Sequence, residues 1–181
     1  RPKGVVVSHS AIVNQLVWAQ REHRLGSQDV VLHKAPITFD ASVWELFWAL
    51  EVGARVVVAV PDGHRDAAYL ADVIAAESVT WVQFVPALLS VFLAHESSAR
   101  CTTLRQVWSG GEALTADTAR QLRAVLPDAT LFNVYGPAET TVNATSFRVD
   151  ELSAARLPIG TPVANMQAHV CLLYTSDAAD E

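Results

Sequence analysis

Five short apolar runs recur along this chain: "DVVLHK" (29–34), "RVVVAV" (55–60), "VTWVQFV" (79–85), "LRQVW" (104–108) and "TLFNVY" (130–135). None has the strict in–out alternation of a strand with one wet face. Runs that are apolar throughout belong to strands covered on both sides, which is the condition of parallel sheets. The segments between them carry helical signals. Ser8-His9-Ser10 can cap a helix through about Arg21. "SVWELFWAL" (42–50) reads as a helix opening at Ser42 with Glu45 three residues on. Leu70, Val73 and Ile74 share one face of "AAYLADVIAAES". Pro86 sits in the first turn of "PALLSVFLAHE", and Thr115 caps "TADTARQLRAV". "PDGHRD" (61–66) reads as a surface turn. The expected fold class is therefore α/β, a mainly parallel sheet flanked by helices, with "RVVVAV" as one of its buried strands. At 51% hydrophobic over 181 residues, the chain has enough apolar surface to bury a core.

In such sheets ligands bind beyond the carboxyl ends of the strands. Three polar clusters fall there: "TFDAS" (38–42), "SGGEAL" (109–114) and "NVYGPAETT" (133–141). Gly110 and Gly111 let a ligand approach the backbone. Tyr135 offers a flat face and Asn133 a donor–acceptor pair, which an adenine ring requires. Glu139 is a hard oxygen ligand suited to magnesium on phosphates, and Thr140 and Thr141 can donate to phosphate oxygens. The Walker pattern GxxxxGK[ST] is absent. Taken singly, two glycines after a strand can be a plain turn, and a glutamate after a proline turn can be a helix N-terminal carboxylate. Asp40 has two readings. It is the N-cap of the aromatic-rich helix after it, or a carboxylate facing a dry pocket, where an ammonium group is the natural counter-ion.

Charge and cysteine content narrow the partners. The net charge is −6, from 13 basic and 19 acidic residues with no basic run, which argues against nucleic acid. No apolar run approaches the roughly 18–20 residues of a membrane span, and no charged-then-apolar leader opens the chain. The two cysteines, Cys101 and Cys171, lie far apart, and the six histidines lack zinc spacing. A reducing cytoplasm is the expected compartment. By position, His9 and His33 fall near the nucleotide. Trp18, Trp48 and Trp81 are expected to pack the core.

"FDASVWELFW" (39–48), "SGGEAL", "NVYGPAETTVNAT" (133–145) and "LPIGTPVANMQAHV" (157–170), in this order and spacing, resemble the adenylation domain of nonribosomal peptide synthetases, within the adenylate-forming superfamily of acyl-CoA ligases and luciferases. "RPKGVVVSH" is similar to the tail of that family's phosphate loop. The resemblance covers about residues 1–170 and implies part of the large N-terminal subdomain. It implies activation of an amino acid by ATP and Mg2+, with pyrophosphate release, and loading onto the phosphopantetheine thiol of a carrier domain. Carrier and condensation domains of the same synthetase are the implied partners. On this resemblance Asp40 holds the substrate ammonium. Gly110, Gly111, Glu112 and Ala113 line the adenine and substrate wall. Asn133 bonds the adenine edge, Tyr135 stacks on it, and Gly136 and Ala138 complete the nucleotide turn. Glu139 holds magnesium and, with Thr140, serves catalysis.

The substrate pocket implied by the resemblance is lined by Asp40, Ala41, Trp44, Gln83, Trp108, Gly110, Val134, Val142 and Asn143. Two indoles, two amides and no cation should disfavour a charged side chain and favour a neutral polar one. The pattern resembles glutamine-type signatures, and a glutamine-like amino acid is the expected substrate. On the residues alone, Gln83 can also be read as bonding backbone at a strand end. The chain departs from the family in three respects. Ala138 stands where a threonine is more usual, which removes a hydroxyl from the α-phosphate contact. The ribose-binding Asp and the catalytic Lys of the small C-terminal subdomain are absent. "CLLYTSDAADE" (171–181) does not continue the pattern and reads as a non-native tail. A partial domain that is inactive by itself is the expectation.

Overall fold

The computed structural model describes residues 4–150 and 157–170, and the 171–181 tail lies outside them. The strands are β1 (Val30–His33), β2 (Arg55–Val58), β3 (Trp81–Phe84), β4 (Gln106–Gly110), β5 (Thr130–Tyr135), β6 (Thr145–Arg148) and β7 (Thr161–Pro162). They form one seven-stranded sheet in the order β2-β1-β3-β4-β5-β6-β7. The β2-β1-β3-β4-β5 part is parallel throughout, as the apolar runs predict. β6 and β7 extend it antiparallel, from segments with no strand signal in the sequence.

The helices are α1 (His9–His23), α2 (Ala49–Glu51), α3 (Ala67–Ala76), α4 (Pro86–Ala94) and α5 (Ala116–Val125). Their starts follow the predicted chemistry. Ser8 Oγ accepts from Ala11 N–H and Thr115 Oγ1 from Thr118 N–H, each satisfying an otherwise orphaned first-turn donor. Pro86 opens α4. "PDGHRD" is a 3₁₀ turn at Gly63–Arg65, after which Asp66 caps α3.

Two local expectations are corrected. "RVVVAV" is not a buried strand: β2 is the sheet edge, paired only with β1, and Val58 is 68% exposed. "SVWELFWAL" is not an ordinary capped helix. Trp44–Trp48 form a π-helical turn that runs into α2, and its cap position, Val43, makes no side-chain bond. Ser42 does not cap it, and Glu45 makes no capping box. The Glu45 carboxylate instead turns back to the end of β1, where Oε2 accepts from Lys34 and Ala35 N–H and bonds His33 Nδ1, all within 2.8–2.9 Å.

Two cores cover the two faces. Leu32, Leu70, Ile74, Val82, Leu89, Phe92, Val107 and Leu131 form an aliphatic-rich core with α3, α4 and α5. Trp18, Val31, Trp44, Trp48, Trp81 and Trp108 form a tryptophan-rich core on the other face, against α1 and the π-helical turn. The expectation that Trp18, Trp48 and Trp81 pack the interior holds.

Candidate active site

The strand order reverses between β1 and β3, so the connections from these neighbours leave in opposite directions and open a crevice at their carboxyl ends. Two connected spaces lie there. The inner cavity, about 460 Å³, is walled by the segments that follow β1, β3, β4 and β5. The outer cleft, about 850 Å³, runs along the ends of β4 and β5. They share Gly111, Glu112, Val134 and Gly136. The three polar clusters converge as the sequence predicts.

Glycine is required along this partition. A Cβ on Gly110 would stand 2.6 Å from the Val134 carbonyl oxygen, and one on Gly136 would stand 2.4 Å from that of Val142. Gly111 adopts φ +90°, a conformation open only to a residue without Cβ. Just beyond, Thr141 and Val142 have φ of +66° and +71°. A β-branched residue with positive φ is strained and persists only where its surroundings hold it, a condition concentrated at functional sites.

Asp40, Ala41, Gln83, Gly110, Val134, Val142 and Asn143 all line the inner cavity. Asp40 is half-buried, and no cation pairs with it among the described residues. Burial raises its carboxyl above the ordinary range. Backbone hydrogen bonds at Ala41 and Asp40 oppose that, and the Glu139 charge adds to it. Gln83 Oε1 and Asn143 Nδ2 are buried without hydrogen-bond partners. Trp44 and Trp108 do not reach the cavity wall. Both are fully buried in the tryptophan cluster, edge-to-face with ring centroids 5.5 Å apart, and both also pack on Trp18 and Trp48, which holds them beneath the site.

In the outer cleft stand Gly111, Glu112, Ala113, Asn133, Tyr135 and Gly136. Tyr135 is half exposed, while Asn133 is buried and donates from Nδ2 to the Pro158 carbonyl at 2.8 Å. Ala138, Glu139 and Thr140 form a 3₁₀ turn after Pro137, at the rim of the cleft rather than on its wall. Glu139 is exposed. The Thr140 hydroxyl donates to Pro137 O at 2.8 Å, so its proton is already engaged within the turn. A helix N-terminal carboxylate does occur here, at Glu112, whose Oε2 accepts from Ala87 N–H of α4 at 3.3 Å.

The expectation of a cavity without cation or further carboxylate is corrected. Lys34 and Glu45 line it, with His64, Arg65 and Glu112. Lys34 Nζ lies 4.8 Å from the centre of the Phe84 ring. Burial lowers the Lys34 ammonium from its ordinary range, and the nearby Glu45 opposes that lowering. The other Glu45 oxygen is buried without a partner. Sequence reading missed this pair, although the position of Lys34 one residue past β1 is a usable signal. Neither His9 nor His33 lines either space: His9 begins α1, and His33 is taken up by Glu45.

Comparison with known proteins agrees with this arrangement. The chain is 43% identical over 172 residues to tyrocidine synthase 3 of Brevibacillus parabrevis, covering 93% of this chain and 3% of that protein. It is 43% identical over 170 residues to phosphinothricin tripeptide synthetase PhsB of Streptomyces viridochromogenes, covering 94% and 14%. Among solved structures, the nonribosomal peptide synthetase FmoA3 (S1046A) in its AMPPNP-bound form superposes with a TM-score of 0.86 at 30% identity, over 91% of this chain and 18% of that one. IdnL7 superposes with a TM-score of 0.79 at 32% identity, over 90% and 34%. The chain thus spans a small part of the length of these relatives. The model of the AMP-binding enzyme family matches residues 1–176, and with the crevice, the glycine partition and the motifs all in place, the chain belongs to that family.

Proposed function

We propose that this chain carries the substrate- and nucleotide-binding part of a ligase that activates an amino acid with ATP for nonribosomal peptide synthesis. One observation carries the reading: Asp40, a half-buried carboxylate without a cation partner among the described residues, on the wall of a cavity that opens onto a second cleft across a glycine partition. The α-ammonium of an amino acid supplies the missing counter-charge and opposes the upward shift that burial gives the Asp40 carboxyl. The substrate carboxylate then faces the shared wall. Its oxygen attacks the α-phosphorus of ATP, pyrophosphate leaves, and an aminoacyl adenylate forms. The phosphopantetheine thiol of a carrier domain would then take up the acyl group of that adenylate, with AMP as the leaving group. The similarity to FmoA3, a nonribosomal peptide synthetase solved with AMPPNP bound, supports this reading.

In this proposal Gly110, Gly111, Glu112, Ala113, Asn133, Tyr135, Gly136 and Ala138 cradle the nucleotide, and Tyr135 offers its exposed ring for stacking. Backbone N–H groups of the turn serve the phosphates, and the Thr140 hydroxyl joins them by exchanging its bond to Pro137 O for one to a phosphate oxygen. Magnesium fits this corner by its chemistry. Glu139 is a solvent-exposed carboxylate near enough to Asp40 to influence its charge, and Mg2+ takes one or two carboxylates while keeping waters and phosphate oxygens. Bound there, it would neutralise charge on the phosphates. Gln83 and Asn143 line the cavity, and their buried Oε1 and Nδ2 have no partner; turned towards the cavity, this acceptor and donor would complement the NH2 and C=O of a carboxamide, which supports a glutamine-like substrate. The substrate set includes Trp44 and Trp108 as the floor under the wall. Carrier and condensation domains of the same synthetase are the partners, and the cytoplasm is the compartment. No helix among the described residues is long and apolar enough to cross a membrane.

A second reading, an acyl-CoA or aryl-acid ligase, keeps the nucleotide chemistry but leaves Asp40 without a counter-ion. ATP–pyrophosphate exchange by the parent protein decides. Exchange stimulated by glutamine, and not by fatty or aryl acids, is expected; the reverse pattern rejects the proposal.

A further inference from the structure

Gln15 lies in the middle of α1, far from both spaces in sequence, and it is completely buried. Its Nε2 donates to the Asn143 carbonyl at 2.6 Å, across 128 positions of chain. Its Oε1 has no partner. A buried amide is costly unless it bonds, so this side chain is held for its donor.

The carbonyl it grips belongs to the most strained corner of the site. Thr141 and Val142 are both left-handed, and Val142 and Asn143 are part of the cavity wall. Gly136 packs beneath them, where a Cβ would meet the Asn143 Cα at 2.7 Å. The Ala144 N–H is tied to Tyr135 O at 2.7 Å. Backbone bonds thus hold the far end of the turn, and Gln15 holds the Asn143 peptide from the opposite side. The neighbouring residue works the same way. Asn14 Nδ2 donates to Ala164 O at 2.8 Å, and Asn14 Oδ1 accepts from Asn165 at 2.6 Å. Asn165 is itself left-handed, with φ +62°. Two adjacent amides of one helix therefore brace two strained turns.

We propose that Gln15 is a positioning residue for substrate selection: by fixing the Asn143 peptide it sets the shape of the cavity wall at Val142 and Asn143 against which a substrate side chain rests. The inference deepens the amino-acid reading above and rests on it for its kinetic part. The test uses the parent protein and the variants Gln15→Met, Gln15→Glu and Asn143→Ala. Methionine keeps volume and removes the donor. Hydrogen–deuterium exchange over residues 136–145 should accelerate about tenfold in Gln15→Met, the worth of one hydrogen bond, while α1 exchanges as before. In pyrophosphate exchange the KM for the preferred amino acid should rise about tenfold, with kcat and the KM for ATP within about twofold. The double variant with Asn143→Ala should be no worse than Asn143→Ala alone. A buried glutamic acid donates only when protonated, so Gln15→Glu should select like wild type at acidic pH and lose selection as pH rises, with Gln15→Met flat. Unchanged exchange over 136–145, an unchanged amino-acid KM, additive losses in the double variant, or a flat Gln15→Glu profile each overturns the proposal. If the wild type activates no amino acid, the functional reading falls, and the exchange experiment still decides whether Gln15 holds the turn.

Discussion

The two faces of the sheet bury side chains of different kinds and differ in what they leave unsatisfied. The face under α3, α4 and α5 is packed by Leu, Ile, Val and Phe, with Phe84 and Phe92 stacked 5.0 Å apart. Ser109 Oγ is its one buried side-chain polar atom without a partner among the described residues. The tryptophan face has many: Gln15 Oε1, both His23 ring nitrogens, the indole N–H groups of Trp44, Trp81 and Trp108, and Gln83, Gln106, Glu45 and Asn143. Native interiors pair nearly all such groups. A fold that concentrates the exceptions on one face, beside a cavity, has divided its labour. One side supplies cohesion, and the other tolerates unpaired polarity next to a binding space.

The largest expected contrast is between Phe92 and Asp40. Phe92→Ala should cost about 3–5 kcal/mol of stability in denaturant unfolding, through cavity formation, and leave amino-acid selectivity in place. Asp40→Ala should reduce amino-acid activation by about 3–5 kcal/mol, roughly a hundredfold to a thousandfold or somewhat more in kcat/KM, without loss of stability. The sign follows from the raised Asp40 carboxyl. Because the folded value lies above the unfolded one, ionising it costs stability as pH rises through that window, and alanine removes the cost. Parallel losses of stability and activation in both variants would erase the division. Next is acid sensitivity. Burial lowers the His23 imidazole to about 4 from 6.5, so between these values the unfolded chain binds the extra proton. Stability should be complete above pH 6.5 and fall by about 3 kcal/mol as pH drops towards 4. The slope should flatten in His23→Phe, and an identical slope would show that other groups carry it. The smallest effect is expected for Trp81→Phe. Lost packing and a removed orphan N–H offset, leaving a change under about 1.5 kcal/mol. A loss beyond about 3 kcal/mol would mean that the indole N–H is satisfied after all.

Most of the parallel sheet is legible because burial on both sides leaves its mark in every residue of a strand. The same signal misleads at Arg55–Val58, since a β-branched run looks alike at the centre and at the edge, and only long-range pairing tells them apart. β6 escapes notice because its TSFR sequence is mostly polar and partly exposed, and β7 because it is two residues long and contains Pro162. In the site, Asp40 and the glycines can be read directly, as their chemistry is local. Lys34 leaves a signal in its place just past β1, but its pairing with Glu45 cannot be read, because their meeting depends on a π-helical turn that swings Glu45 over the end of β1. The family resemblance puts Trp44 and Trp108 in the pocket wall, yet mutual ring packing decides where they rest.

The partition between the two spaces rests on peptide groups at Gly110, Gly111 and Gly136, where a side chain would strike backbone at Gly110 and Gly136 and would be strained by the φ of +90° at Gly111. Main chain is inherited with the fold, whereas the remaining inner walls are ordinary side chains. A lineage can therefore rewrite which molecule enters the inner chamber one codon at a time, while the frontier with its neighbour stays as it was.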